Sequence, residues 1–362
     1  MTKPTGKQYK FLDLSGYMFS GKAAAIDLIR EFEGYYVPNY RFEFPLIRIQ
    51  DGIMDLEKAL VDDWSPIRSD IAVKRFQQLI TKMSGHKRKL FSLKEEELVS
   101  WNYHKLYGDK FYQHSMAYAE SLIDLKIKAT WPYYSMCEPF HEILKRRLRK
   151  LVIMLLDMIK GRGLHNRPMF EEIDLFIISG DEFYEKTSQY LEKILSLPVD
   201  DDNIHTIVMH NAFEPFNPWR PIRYFRNARC IIVDRDPRDI YMTSLLYSDG
   251  FNDNPSVYSK ISCAFNVDYF IKRFEIYRKK TNLDKDPQGR VLRINFEDLV
   301  IDYENILKVI YGFLGENEAT HKHKKKYFDP AISSKNIGLW KSYPKQDEIE
   351  LIKNELREYC YN

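Results

Sequence analysis

A glycine-bounded turn between an apolar run and an amphipathic run constrains this chain more than any other feature. Tyr9 to Leu14 (YKFLDL) reads as a strand. Gly16 to Lys22 spells GxxxxGK, and a helix is expected from about Gly21 to Glu33, with Ala25, Leu28, Ile29 and Phe32 on one face. The same strand–turn–helix grammar recurs twice. Ala228 to Val233 precedes Asp236-Pro237, an N-cap and first-turn pair, with Asp239 at the capping-box spacing. Val291 to Asn295 precedes FEDL and a helix from Tyr303 to Leu314 that Gly315 stops. His205 to Met209 is a further strand. Strands alternating with helices predict an α/β, P-loop-type three-layer fold with a mostly parallel central sheet.

Other segments are less regular. Phe42 to Ile49 reads as a strand, with Pro45 pointing to an edge or a bulge. Tyr258 to Lys280 is expected to be helical, and an amphipathic helix from about Gln346 to Tyr359 closes the chain. Residues 55–200 are rich in helix formers and aromatics. They are expected to be a helical insertion, the acceptor-binding region, within one domain whose core is residues 1–54 and 201–362. Asp174 to Ser179 fits a strand or a buried helix equally well.

Composition removes several classes. The 362 residues carry Lys+Arg 55 against Asp+Glu 52, a net charge of +3, which argues against a dedicated nucleic-acid binder. No run approaches the ~18 apolar residues of a membrane span, and no secretory leader is legible. Four widely spaced cysteines and the absence of a CxxC or HExxH pattern point to free thiols in the cytoplasm and to no metal. The run His321 to Lys326 (HKHKKK) reads as a solvated surface. His141 to Arg167 joins a dense cationic cluster to the apolar run Leu151 to Leu156. A buried core helix with a basic end is expected there, against a peripheral contact with an anionic membrane face.

Ligands of open parallel sheets bind beyond the carboxyl ends of the strands. Ser15 to Ala24, His210, Arg235 and Glu297 all fall at such ends. Backbone N–H groups around Gly21 with Lys22 suit a phosphate. Ala23 replaces the hydroxyl that a magnesium-dependent nucleotide kinase needs. Arg235 and Thr243, eight residues apart, suit a second phosphate.

Over residues 9–50 and 203–362 the chain resembles the sulfotransferases that use 3′-phosphoadenosine 5′-phosphosulfate (PAPS). Ser15 to Ala24 resembles the family's 5′-phosphosulfate loop, and CIIVDRDPRDIYMTSL its 3′-phosphate motif. VLRINFEDLV is another recurring family segment. Ser334 to Lys341 (SKNIGLWK) is similar to the late loop over the nucleotide. The resemblance implies donor contacts from Ser15, Gly16, Ser20, Gly21, Lys22, Ala23, Ala24, Arg235, Thr243 and Lys335, with Trp340 as packing anchor. Phe19 stands where most members have Lys or Arg, so Lys22 supplies the catalytic charge from a shifted position. His210, with an imidazole suited to neutral pH, is the first choice of base and Glu214 the second. His104, His114 and His141 lie in the insertion. A hydroxyl or amine of a glycan or glycolipid is the expected acceptor. The alternatives are an ATP-using kinase, with CIIVD orienting the metal, and a non-catalytic nucleotide binder.

Overall fold

The computed structural model describes residues 7–39, 43–85, 103–131, 136, 140–160, 170–246, 257–281, 283 and 288–361. In chain order the main elements begin with β1 Lys10–Gly16, α1 Lys22–Ile29 and β2 Tyr35–Tyr36, followed by α2 Pro66–Met83, α3 Asp109–Ser121 and β3 Leu125–Ala129. Next come α4 Phe140–Ile159, β4 Glu171–Leu175, α5 Gly180–Leu195, β5 Thr206–His210, β6 Ala228–Asp234 and α6 Pro237–Leu246. The last are α7 Val267–Lys279, β7 Val291–Asn295, α8 Phe296–Ile301, α9 Tyr303–Leu314 and α10 Gln346–Glu355. They form two compact units, residues 1–48, 96–101 and 191–362 in one, and 49–95 and 102–190 in the other.

The first unit is built on a five-stranded sheet in the order β2-β5-β1-β6-β7, all strands parallel. Leu14 lies opposite His210, Gly16 opposite Val233 and Asp234 opposite Asn295, so the carboxyl ends of these strands are level. One core packs Leu12 and Leu14 of β1 with Ile26, Leu28 and Ile29 of α1 and Leu307 and Ile310 of α9. A second packs Ile240 and Tyr241 of α6 with Phe270 and Phe274 of α7 and Ile349 and Ile352 of α10. β1, β5 and β6 are almost wholly buried, as strands of a parallel sheet covered on both faces are, and their apolar side chains stabilise the sheet at about 25 cal/mol per Å² buried.

The expected strand Phe42 to Ile49 is not one. Phe42 lies outside the described residues, and Pro45–Ile47 is a 3₁₀ turn. Proline fixes φ and lacks the ladder N–H, which suits the turn. The expected helix Tyr258 to Lys280 is broken at Cys263–Asn266. Asn266 then caps α7, its side chain accepting from the Tyr269 N–H.

In the second unit Ser65 caps α2, with Pro66 at its first position. Buried Asp70 on α2 receives Lys74 Nζ at 2.9 Å, Trp131 Nε1 at 2.9 Å and the Asp174 N–H at 3.0 Å. Tyr118 stacks on Tyr190, and their hydroxyls reach Thr187 and Ser115, both at 2.7 Å. β3 and β4 pair antiparallel, so the ambiguous segment is strand to Leu175 and irregular beyond it. α4 departs from the expected core helix: its long apolar side chains are largely exposed.

Candidate active site

Gly16 ends β1, and the loop to Lys22 turns on two left-handed residues, Phe19 (φ 60°) and Gly21 (φ 85°). A Cβ at Gly21 would fall 2.5 Å from the Phe296 ring, and one at Gly16 would fall 2.4 Å from Ser20 Oγ. Only glycine lets the loop close on itself and on α8 at these points. The loop opens directly into α1, whose first residues are Lys22 and Ala23. Ser20 Oγ is buried and lacks a hydrogen-bond partner among the described residues. A buried donor left in that state suits a ligand oxygen.

Lys22 Nζ lies 2.9 Å from Glu43 Oε1, and Asn211 Nδ2 donates to the same oxygen at 2.6 Å. Arg48 extends the network. Its Nη1 meets Glu214 Oε1 at 2.6 Å, its Nε donates to the Asn211 carbonyl at 2.7 Å, and its Nη2 lies 3.9 Å from Glu43 Oε2. Asn211 and Glu214 both hold positive φ, 49° and 63°. Asp13, fully buried in β1, fixes that turn. Its carboxylate accepts from the N–H of Ala212 at 2.8 Å and of Phe213 at 3.3 Å, and from Ser15 Oγ at 2.6 Å. Burial pushes the Asp13 carboxyl up, against the pull of these donors. Burial also pushes the Glu214 carboxyl up, with Arg48 opposing.

On the next strand, Arg235 leaves β6 and donates from Nη1 to Thr243 Oγ1 at 3.0 Å and to the Phe19 carbonyl at 3.1 Å, and from Nη2 to the Asn336 carbonyl. Its guanidinium lies over the Phe296 ring. Burial lowers its pKa, a cost that a bound anion would relieve. Asp236 caps α6, accepting from the Arg238 N–H at 2.8 Å. Asp239 does not complete a capping box; it accepts from the Gly338 N–H at 2.8 Å and so holds the late loop. Asp234, the carboxylate a kinase would need for its metal, is ion-paired with Arg278 at 2.5 Å.

A cavity of about 970 Å³ runs over Gly16–Ala24, Glu43, Arg235 and Thr243 to the segment Lys325–Asp329. A smaller one of about 170 Å³ shares Gly16, Tyr17, Met18 and Asn211 with it. Arg48, Glu214, Phe216 and Tyr277 continue the smaller wall. Of the residues singled out from sequence, Gly16, Ser20, Gly21, Lys22, Ala23, Ala24, Arg235 and Thr243 line the larger cavity, and Glu214 the smaller. Ser15 is buried behind the loop against Asp13. His210 is wholly buried at the end of β5, and neither cavity wall includes it. Lys335 lies between the lining residues Ser333 and Asn336 without itself lining the wall, and Trp340 packs under the Arg238 guanidinium at 4.3 Å. His104 is exposed beside Asp109 in the second unit.

Among the lining residues that escaped the sequence are three charged ones, Glu43, Lys325 and Lys326. Glu43 has no motif around it. Lys325 and Lys326 belong to the run read as solvated surface. That run is anchored by Glu31 just after α1, which accepts from the N–H groups of Lys325, Tyr327 and Phe328 and pairs with buried His321 at 2.7 Å. Among the described residues no group of His, Cys, Asp and Glu has the makings of a metal site.

Residues 204–319, about a third of the chain, match the family described as the sulfotransferase family. Over that stretch, which contributes β5, β6 and β7 to the parallel sheet and Arg235 and Thr243 to the cradle, the chain is similar to the sulfotransferase family. No curated protein matches it. Among solved structures it is similar to the sulfotransferase domain from the curacin biosynthetic pathway, at 12% identity and TM-score 0.35, over 96% of this chain and 97% of that one. It is also similar to the sulfotransferase domain of the Synechococcus PCC 7002 olefin synthase, at 14% identity and TM-score 0.34, over 100% and 99%. A third is retinol dehydratase, solved with androsterone and the inactive cofactor PAP, at 12% and 0.35, over 96% and 80%.

Proposed function

We propose that the protein transfers a sulfuryl group from PAPS to a hydroxyl or amine acceptor by in-line displacement. One observation carries the reading: a glycine-bounded anion cradle with Lys22 at its helix start shares a cavity with an Arg235–Thr243 pair held at 3.0 Å. A ligand with phosphates at both ends fits that spacing of functions better than a nucleoside triphosphate, because Ala23 offers no hydroxyl to a metal.

The donor, when bound, supplies the sulfuryl group and a phosphate leaving group. The chain's own residues do the rest. Backbone N–H groups from Gly16 to Ala24, with Ser20 Oγ and Lys22, hold the 5′ end, and Lys22 neutralises charge as it develops on the phosphate. Arg235 and Thr243 hold the 3′-phosphate, with Lys325, Lys326 and Lys335 adding positive charge from the late segment. A carboxylate takes the acceptor proton. Glu43 is best supported, since it lines the cavity and already lies against Lys22. Glu214, on the smaller cavity, orients it through Arg48. His210, wholly buried and in neither cavity wall, is assigned no proton transfer. The aromatic side chains Tyr17, Phe216 and Tyr277 around the smaller cavity suit the face of a sugar, so a glycan hydroxyl is the acceptor class we favour.

The test is calorimetric titration of the purified chain with PAP and, separately, with Mg-ATP. PAP should bind, with roughly ten- to hundredfold loss in Arg235→Ala, the cost of one charge-assisted phosphate contact. Preference for Mg-ATP, or indifference to both nucleotides, would overturn the reading.

A further inference from the structure

The helix α4 carries a feature that sulfuryl transfer does not use. Leu144, Leu148, Leu151, Leu155 and Met158 recur at helical spacing, and each is between 47% and 56% exposed. At 100° per residue they form one stripe, which Val152 and Ile159 widen. Cations border it on both sides: Arg147 on one, Lys145, Arg149 and Lys160 on the other. The inward face is set by Asp157, which is buried, and by Arg146, whose Nε lies 3.7 Å from Glu171 of β4. Asp157 is the one carboxylate between Ile143 and Lys160, so over that stretch, beyond Glu142 in the first turn, the outward face is apolar and basic without an acidic member. No helix among the described residues is long and apolar enough to cross a membrane, and five cations between Lys145 and Lys150 keep this one from doing so.

We propose that α4 lies flat on an anionic lipid surface, its leucine stripe at the acyl boundary and its flanking cations on the headgroups. The pattern is that of interfacial helices, whose apolar face sinks between headgroups while Lys and Arg snorkel to them. Charge complementarity selects this occupant. A second copy docking on the same face would bring cations and no counter-charge, whereas an anionic bilayer supplies both the apolar layer and the negative charge. The inference is independent of the proposed activity, because vesicle binding needs neither donor nor acceptor.

The experiment is sedimentation of the full chain with vesicles of phosphatidylcholine alone or mixed with phosphatidylglycerol. The expected result is pelleting with the mixed vesicles only, weakened by added salt. Leu148→Asp with Leu155→Asp should abolish it. Arg147→Glu with Arg149→Glu should weaken it by at least about tenfold. Both variants alter exposed positions and should keep the wild-type melting temperature and PAP affinity, which separates failure here from failure of the sulfuryl-transfer reading. Absence of binding to either vesicle, equal binding to both, or variants that pellet like the wild type would each overturn the proposal. So would a concentration-dependent dimer that Leu151→Asp dissolves, which would assign the stripe to a second copy.

Discussion

Lys22 and Glu43 neutralise one another at 2.9 Å, and that pairing makes the roles of the two residues separable. If the lysine stabilises the departing phosphate, Lys22→Ala should lower kcat by about 10²–10³ and weaken PAP as well. If Glu43 takes the acceptor proton, Glu43→Gln should lower kcat by about 10²–10⁴ and leave PAP affinity within a few-fold. Steady-state kinetics beside calorimetry checks both. Glu297 makes a different prediction. Its Oε1 accepts from the Asp236 N–H, its Oε2 is buried without a partner among the described residues, and burial raises its pKa to about 7. A carboxyl raised in the folded state keeps its proton where the unfolded chain has lost it. Stability therefore falls as pH rises from the ordinary carboxylate range through about 7. Glu297→Gln keeps the acceptor for Asp236 and removes the ionisation. It should match the wild type near pH 5 and exceed it by on the order of 1 kcal/mol at pH 8, read from melting temperatures across pH.

Elements were legible where one short-range rule decided them. β7 and α9 stand at Val291–Asn295 and Tyr303–Leu314, as apolar spacing and Gly315 indicate. The glycine-bounded turn from β1 into α1 was legible for the same reason, since strand, glycines and helix lie within twenty residues. Glu43 was not. It reaches Lys22 only because the segment around Pro45 folds back as a turn, and its other partner, Asn211, is 168 residues away. Lys325 and Lys326 are exposed, as the sequence indicates, but their place on the cavity wall was not legible, because what seats their segment is Glu31, nearly 300 residues earlier. The stripe on α4 was read as core because sequence shows amphipathicity but not which face finds a partner. The loop element has its own test. Gly21→Ala meets both a positive φ and the Phe296 ring, so it should destabilise the protein by roughly 1–3 kcal/mol in chemical unfolding. A substitution tolerated within about 0.5 kcal/mol would mean that the loop does not close on α8 as described.

At the scale of the molecule, the first unit draws its site from segments scattered along the chain, which only the parallel sheet brings level. The family match falls on residues 204–319, whereas half of the cradle, Gly16 to Ala24, lies outside it and is joined to it by the β1–β6 pairing. A ligand that bridges both phosphate sites should therefore protect separated stretches at once. Hydrogen exchange with saturating PAP should slow the amides of residues 17–24, 235–244 and 325–336 together. At the amino ends of the same strands, Lys10 and Thr206 should exchange as before, since ligands meet this sheet at its carboxyl edge. In Arg235→Ala the slowing should vanish at 235–244 and persist more weakly at 17–24, because the cradle keeps its own donors. Protection confined to 17–24 in the wild type would mean that the nucleotide reaches one phosphate site only. The two-ended donor, and with it the choice of PAPS over a simpler phosphate ester, would then fail while the fold assignment stood.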